Sequence, residues 1–342
     1  MTAVADRPAG ALDDLLARFA SRFGRVEPRR NAATYVRWLL EGRIPAGATA
    51  AAALPNRLNK LLTTARWDAD AVRDDLRGYA VETLGRTDAV LTVDQVGITK
   101  RGSQSVGVHR QYNPVTERFE SCQLSIFLAY AAGGGATLVD RDLYLPAAWI
   151  EDPQRRAAAG VPDAVAYTGL TTLTQTMIER TMAAGVPFGW VAGDGDAGQD
   201  PALRQWLRAR RVRYAFAAAH PHLPPNTDSA AAFVLGSLGG GRWSAVARRP
   251  AAEPGWMHWL LARTPEDRPG RPEFHVCYCP GGTEPLRLAE VADTPRAVRE
   301  ALRPATEQIG LTRYEVRQYQ AWYRHVTLAM AAQAYLVAGG RG

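Results

Sequence analysis

The chain has 342 residues, 46% of them hydrophobic, and 41 Lys and Arg set against 34 Asp and Glu give it a net charge of +7. That is long enough for one large domain or two modest ones that fold without staples. The three cysteines, Cys122, Cys277 and Cys279, are too few and too oddly spaced for a disulfide framework, and Cys277-x-Cys279 lacks a second pair for zinc. No run approaches a membrane span, and the N-terminus lacks an apolar core behind a basic start, so a soluble, unexported, cytoplasmic protein is expected.

The opening ten residues read as disordered. Leu12, Leu15, Leu16, Phe19 and Phe23 then recur at helical spacing, and Asn31–Leu40, Leu54–Ala65 and Asp68–Leu84 repeat the pattern, with a break over Gly42–Ala53. From Asp88 the period becomes that of strands, over 89–94, 104–112, 121–131 and 136–145. The charged turn Asn113–Arg118 suggests a hairpin, and the short turns suggest an antiparallel meander. A helix is expected over Thr171–Ala184, a strand over 187–193, a helix over Pro201–Arg211 and a strand over Arg213–Ala219. Residues 220–257, rich in Pro, Gly and Ala and including Gly239–Arg242, read as a loop-rich insertion. Strands at 258–264 and 273–279 follow, then helices at 294–303 and 312–338, the second with Tyr319, Trp322, Tyr323, Val326 and Met330 on a buried face.

Two of these strand-like runs end in an aspartate, Ala89–Asp94 and Phe188–Asp194. Carboxylates at strand ends sit at the rim of a sheet, where their oxygens can converge on a hard cation and still be reached by substrate. An aspartate that merely opens a turn gives the same local pattern. The net charge is compatible with an anionic partner such as nucleic acid, although the two lysines, Lys60 and Lys100, among so many arginines point to coding bias. Arg204, Arg208, Arg210, Arg211 and Arg213 form the densest basic run, and a solvated helix end accounts for them equally well. His109 reads as a surface or satisfied histidine and His325 as structural. Trp243, Trp256 and Trp259 suit core packing better than base stacking.

The order β-β-β-α-β-α-β, followed by a β-rich stretch and terminal helices, resembles the ribonuclease-H-like core of DDE transposases. The segments Thr92–Gly102, Ser105–Tyr112, Asp142-Leu-Tyr-Leu-Pro146, Ala184–Asp194, Gly310–Arg317 and Trp322–Leu328 look like bacterial insertion-sequence transposases of the DDE superfamily endonuclease group. The resemblance implies an α/β fold in four parts: a helical N-terminal region over 1–87, a core over 88–219, a loop- and β-rich insertion over 220–290, and C-terminal helices over 291–342 that complete the core. It also implies DNA as partner, with Lys100, Arg101, Arg204, Arg208 and Arg211 as candidate contacts. A homodimer is compatible with it.

Implied as well is DNA strand cleavage by two divalent ions, Mg2+ or Mn2+, held about 4 Å apart by two Asp and one Glu. Asp94 and Asp194 match the two aspartates. The third motif departs from the family pattern V-A-G-R-R-W-x-I-E-E, which has a lysine seven residues beyond the first glutamate. Laid from Val291, the chain places Pro295 at an Arg, Arg296 at the Trp, Arg299 at the catalytic Glu and Thr306 at the Lys. Glu300 keeps the second glutamate but points about 100° away from its neighbour on a helix. Pro304 should end or kink that helix near Arg303, at a cost of about 3 kcal/mol. Ala197 stands where the family usually has Tyr, the N-terminal region looks short after Leu40, and a Lys-Gly-x-x-x-Tyr-Asp-Trp stretch is missing from the insertion.

Three readings follow. The chain is a domesticated or catalytically impaired DNA-binding homologue; or an active enzyme in which Glu300 or Asp196 replaces the missing ligand; or a fold recruited for small-molecule chemistry with Asp94 and Asp194 as acid and base. The position of Arg299 discriminates, because a guanidinium between the aspartates keeps its charge at every working pH and opposes two-metal chemistry.

Overall fold

The computed structural model describes residues 10–44, 54–194, 199–219, 233–238, 243–248, 253–264, 272–311 and 317–338. The expectations for the N-terminal tail, for most of the Gly42–Ala53 break, for Gly239–Arg242 and for the start of the last helix lie outside the described residues.

Four helices open the fold: α1 (Ala11–Arg18), α2 (Val26–Leu40), α3 (Asn56–Thr63) and α4 (Ala69–Leu84). The Asp68 carboxylate accepts from the backbone N–H groups of Asp70 and Ala71 and starts α4, a cap that contributes about 1 kcal/mol. The strands β1 (Val90–Thr99), β2 (His109–Asn113), β3 (Arg118–Ala132) and β4 (Gly135–Leu143) follow. Then come α5 (Ala147–Ile150), α6 (Pro153–Ala159), α7 (Leu170–Ala183), β5 (Trp190–Gly193), α8 (Pro201–Ala209) and β6 (Arg213–Ala218). The chain continues through β7 (Phe233–Leu238), β8 (Trp243–Arg248), β9 (Trp256–Arg263) and β10 (Glu273–Pro280) to α9 (Pro285–Ile309) and α10 (Tyr319–Ala338).

All ten described strands form one sheet, ordered β2-β3-β1-β5-β6-β10-β9-β8-β7, with β4 also on β3. β1 runs antiparallel to β3 and parallel to β5, which is parallel to β6. This is the α/β, ribonuclease-H-like arrangement the resemblance implies. The simple meander is corrected, because β2 pairs with the first residues of β3 and β4 with its later ones, leaving β1 on the other side.

Three further expectations change. Residues 104–108 are a turn and not strand: Val106 N–H bonds Arg317 O at 3.1 Å, Val108 N–H bonds Ser105 O, and Gly107 takes a φ of 76°. The stretch read as loop-rich contains β7 and β8. Trp243, Ala245 and Ala247 alternate inward on β8, a period-two signal hidden by Gly- and Pro-rich flanks. The helix expected over 294–303 runs from Pro285 to Ile309 through both Pro295 and Pro304. Pro304 is on an exposed face, where water can satisfy the freed carbonyl of Glu300, while buried Leu302, Ala305 and Ile309 hold the helix on both sides of it.

The sheet is covered on both faces. One face packs on α7 and α8 through Leu91, Val93, Met177, Ile178 and Leu207. The other meets the N-terminal helices, α9 and α10. No described helix is long and apolar enough to cross a membrane.

Candidate functional site

Alternation along β1 puts Leu91 and Val93 toward α7 and α8, and Val90, Thr92, Asp94 and Val96 toward α9. Because Val93 is paired with Gly193 in the parallel β1–β5 ladder, the next residue on each strand is an aspartate. Asp94 and Asp194 therefore emerge side by side at the same end of neighbouring strands. Parallel pairing, which sequence alone does not reveal, brings together two acids a hundred positions apart.

Opposite them stands Arg299. Val298 and Leu302 bury one face of α9 and fix its rotation, which leaves Arg299 at the edge of that face. Its Nη2 donates to Asp194 Oδ2 at 2.5 Å, and its Nη1 lies 3.5 Å from Asp94 Oδ1. The guanidinium thus bridges the two carboxylates. All three side chains keep some solvent contact, with exposures of 43% for Arg299, 35% for Asp94 and 27% for Asp194. Desolvation raises the Asp94 pKa above the usual carboxylate value, Arg299 opposes that shift, and the like charge of Asp194 adds to it. For Arg299 burial acts downward, but the two carboxylates outweigh it and hold its pKa above the ordinary arginine value.

These residues do not fit a pair of divalent ions. Two cations about 4 Å apart need several clustered carboxylates. Here there are two, with a permanent cation between them, and among the described residues no group of three or more His, Cys, Asp or Glu side chains could hold a metal. Glu300 is exposed, one helical step of about 100° beyond Arg299, and is not brought to the pair. Asp196 and Ala197 lie outside the described residues.

An apolar cleft of about 320 Å³ opens beside Asp94, between the sheet and α9. Val96, Phe127, Ala129 and Leu138 form its floor, and Val298 and Leu302 its wall. Pro295, Arg299 and Thr306, three of the positions the resemblance sets against the third motif, all line it, whereas Arg296 is exposed and lies 4.0 Å from Asp293. Sequence reading missed the cleft because its lining comes from β1, β3, β4 and α9 together. Val115, in the β2–β3 turn, also lines it. That turn is held by Asn113, whose Oδ1 accepts from Val115 N–H at 2.9 Å and whose amide donates to Glu120 at 2.6 Å. Gly97 makes room for it, since a Cβ there would lie 2.1 Å from Asn113 Oδ1.

The basic candidates are dispersed. Lys100 is buried, which removes it as a phosphate contact, while Arg101 is exposed just beyond β1. Arg208 is committed to Glu253 at 2.6 Å, Arg211 lies over Trp256, and Arg204 is half-buried. Because Arg213 pairs with Trp190 and Phe216 with Gly193, Arg213 at the start of β6 sits at the opposite end of the parallel strands from Asp194, about 10 Å away along the strand direction alone.

A different patch combines charge with exposed rings. Tyr112 and Phe119 face each other across the β2–β3 hairpin with ring centroids 5.6 Å apart, Phe119 is 70% exposed, and Arg110 and Arg118 beside them are exposed. The alternation His109-Arg-Gln-Tyr112 followed by Arg118-Phe119 was the available signal. His109 itself is half-buried on β2, whereas His325 is fully interior, bonded to the Tyr35 hydroxyl at 2.8 Å. Trp243 and Trp259 are buried.

Among known families, the sequence matches the one described as DDE superfamily endonuclease over residues 19–222, more than half of the chain. No curated protein matches it.

Proposed function

The chain belongs to the DDE superfamily endonuclease family, and from that premise we propose that it is a DNA-binding member in which Arg299 has taken the place of the metal ions. In the family, divalent ions activate the attacking oxygen and stabilise the leaving one. The observation that carries the proposal is the Arg299 guanidinium bridging Asp94 and Asp194. It neutralises one of the two negative charges that would attract a divalent ion, and it does so from the position where the resemblance expects a glutamate. DNA binding is supported by the net charge and by the exposed Arg110, Arg118, Tyr112 and Phe119 of the β2–β3 hairpin, where guanidinium groups meet phosphate and rings stack on bases.

The test is a mobility-shift titration at several salt concentrations beside a cleavage assay with millimolar Mg2+ or Mn2+. Salt-dependent binding without metal-dependent nicking is expected. Robust cleavage that disappears in Asp94→Ala would overturn the proposal, and would leave Glu300 or Asp196 as the replacement ligand.

One observation favours a second reading, in which the fold serves small-molecule chemistry. The cleft beside Asp94 is apolar and of ligand size, unlike a groove shaped for a polyanion.

A further inference from the structure

The Asp94–Arg299–Asp194 group is uneven. Arg299 makes its short bond to Asp194, while its contact with Asp94 is at the outer limit of a hydrogen bond. Apart from that contact the Asp94 carboxylate draws, among the described residues, only on the backbone N–H of Gln95. Two carboxylates and one guanidinium leave a net charge of −1 at the inner end of the cleft. At its outer end Arg303 and Glu307 cancel. A partly exposed carboxylate beside apolar walls has lost water and holds only the weaker share of one guanidinium, so it lacks a positive charge of its own. The void next to it is lined by Val96, Phe127, Leu138, Val298 and Leu302.

We propose that this cleft binds a small monocationic amine with an apolar body, its ammonium group paired with Asp94 and its body lying between the sheet and α9. A volume of about 320 Å³ accommodates a ligand on the order of ten non-hydrogen atoms. The charge sign selects among apolar molecules. A carboxylate ligand would meet Asp94 and Asp194 at the inner end, and an alcohol would leave the charge of Asp94 uncompensated. This deepens the small-molecule reading and is independent of DNA binding.

The experiment uses the full chain and three matched probes, phenylbutylamine, phenylbutanol and phenylbutanoate, titrated by calorimetry and by ligand-observed NMR. The amine is expected to bind about tenfold more tightly than the alcohol, with the acid weakest. Asp94→Asn should bring amine and alcohol within about twofold of each other, and Val298→Trp, which fills the cleft, should abolish binding of all three. Thermal melts of both variants confirm that they fold. Equal binding of amine and alcohol, a preference that survives Asp94→Asn, binding that survives Val298→Trp, or no binding by any probe would each overturn the proposal. A DNA mobility shift on the same variants reads the other activity, so loss of one is distinguishable from loss of the other.

Discussion

Two clusters of arginine and aspartate lie on this sheet, and they differ in what surrounds them. In the interior, fully buried Asp140 on β4 receives Arg180 at 3.1 Å, Arg73 at 3.4 Å and Arg77 at 3.5 Å, while Arg141 reaches Asp70 at 2.8 Å and Thr327 at 3.0 Å. Tyr323 donates to Asp142 at 2.5 Å and ties α10 to the same group. Charges from β4, α4 and α7 meet there around an anion with no solvent contact, and hydroxyls of α10 join them, so the cluster fixes how α4, α7 and α10 sit on β4. At the cleft, Asp94, Arg299 and Asp194 are partly solvated and are joined by a single guanidinium. The same residue types serve architecture where burial makes every pair obligatory, and are free for ligand chemistry where it does not.

The largest expected effect would break this contrast if it failed. Asp140→Ala leaves several buried guanidinium groups without their anion and should cost about 3–5 kcal/mol in a urea unfolding titration. Asp94→Asn, at a half-exposed position, should change stability by less than about 1 kcal/mol in the same titration. Comparable losses from the two would mean that both clusters are structural.

Acidification acts with opposite sign on two groups, the interior His325 and Asp94 at the cleft. Burial lowers the His325 pKa to about 4, below its ordinary value. Between an unfolded pKa of about 6.5 and a folded one of about 4, the unfolded chain binds the proton and the folded chain does not. This contribution to stability is therefore complete above about pH 6.5 and declines by up to about 3 kcal/mol as pH falls to 4. Asp94 acts oppositely, because its raised pKa means that the folded chain takes up the proton first and gains stability from it as pH falls. Unfolding titrations across this range should show a net loss in the wild type. The loss should be larger in Asp94→Asn, which lacks the opposing gain.

A smaller effect sharpens the reading of the cleft cluster. Arg299→Glu replaces the bridging cation with a third carboxylate and should acquire a melting shift with millimolar Mn2+, about 1.4 kcal/mol at ten times the dissociation constant. The wild type should show none. A shift of equal size in both would show that Arg299 does not displace the ion. The smallest difference concerns DNA. Phe119→Ala should weaken binding by about 1 kcal/mol, whereas Arg208→Ala, already paired with Glu253, should change it by less than about 0.5 kcal/mol. The reverse order, measured by mobility shift, would move the interface to the α8 end of the sheet.

Much of the fold was legible in the residues. Periodicity located α4, β1, β5 and β6, because a half-buried helix or strand must repeat its apolar side chains at the period of its geometry. The two aspartates were legible too, as was the arginine at the third position. The turn at 104–108 was misread because Val106 and Val108 alternate as in a strand, although their backbone bonds run to Arg317 and Ser105. Pro304 does not end α9, because burial of Leu302 and Ile309 offsets its local backbone cost. The Asp140 cluster left a readable trace, three consecutive charges at Asp140–Asp142 within an otherwise apolar strand, whose meaning depended on arginines from α4 and α7.

Sequence by itself determined the family and the order of the strands β1 to β6, and it put Arg299 downstream of the two aspartates. Tertiary structure alone decided that Arg299 reaches both aspartates, that Glu300 is exposed and Lys100 buried, and that Pro295, Val298 and Thr306 border one cleft with Phe127 and Leu138. Periodicity tells which face of an element is buried. The rotation of α9 over the β1–β5 pair depends on long-range packing, and that rotation sets which side chain stands between the two carboxylates.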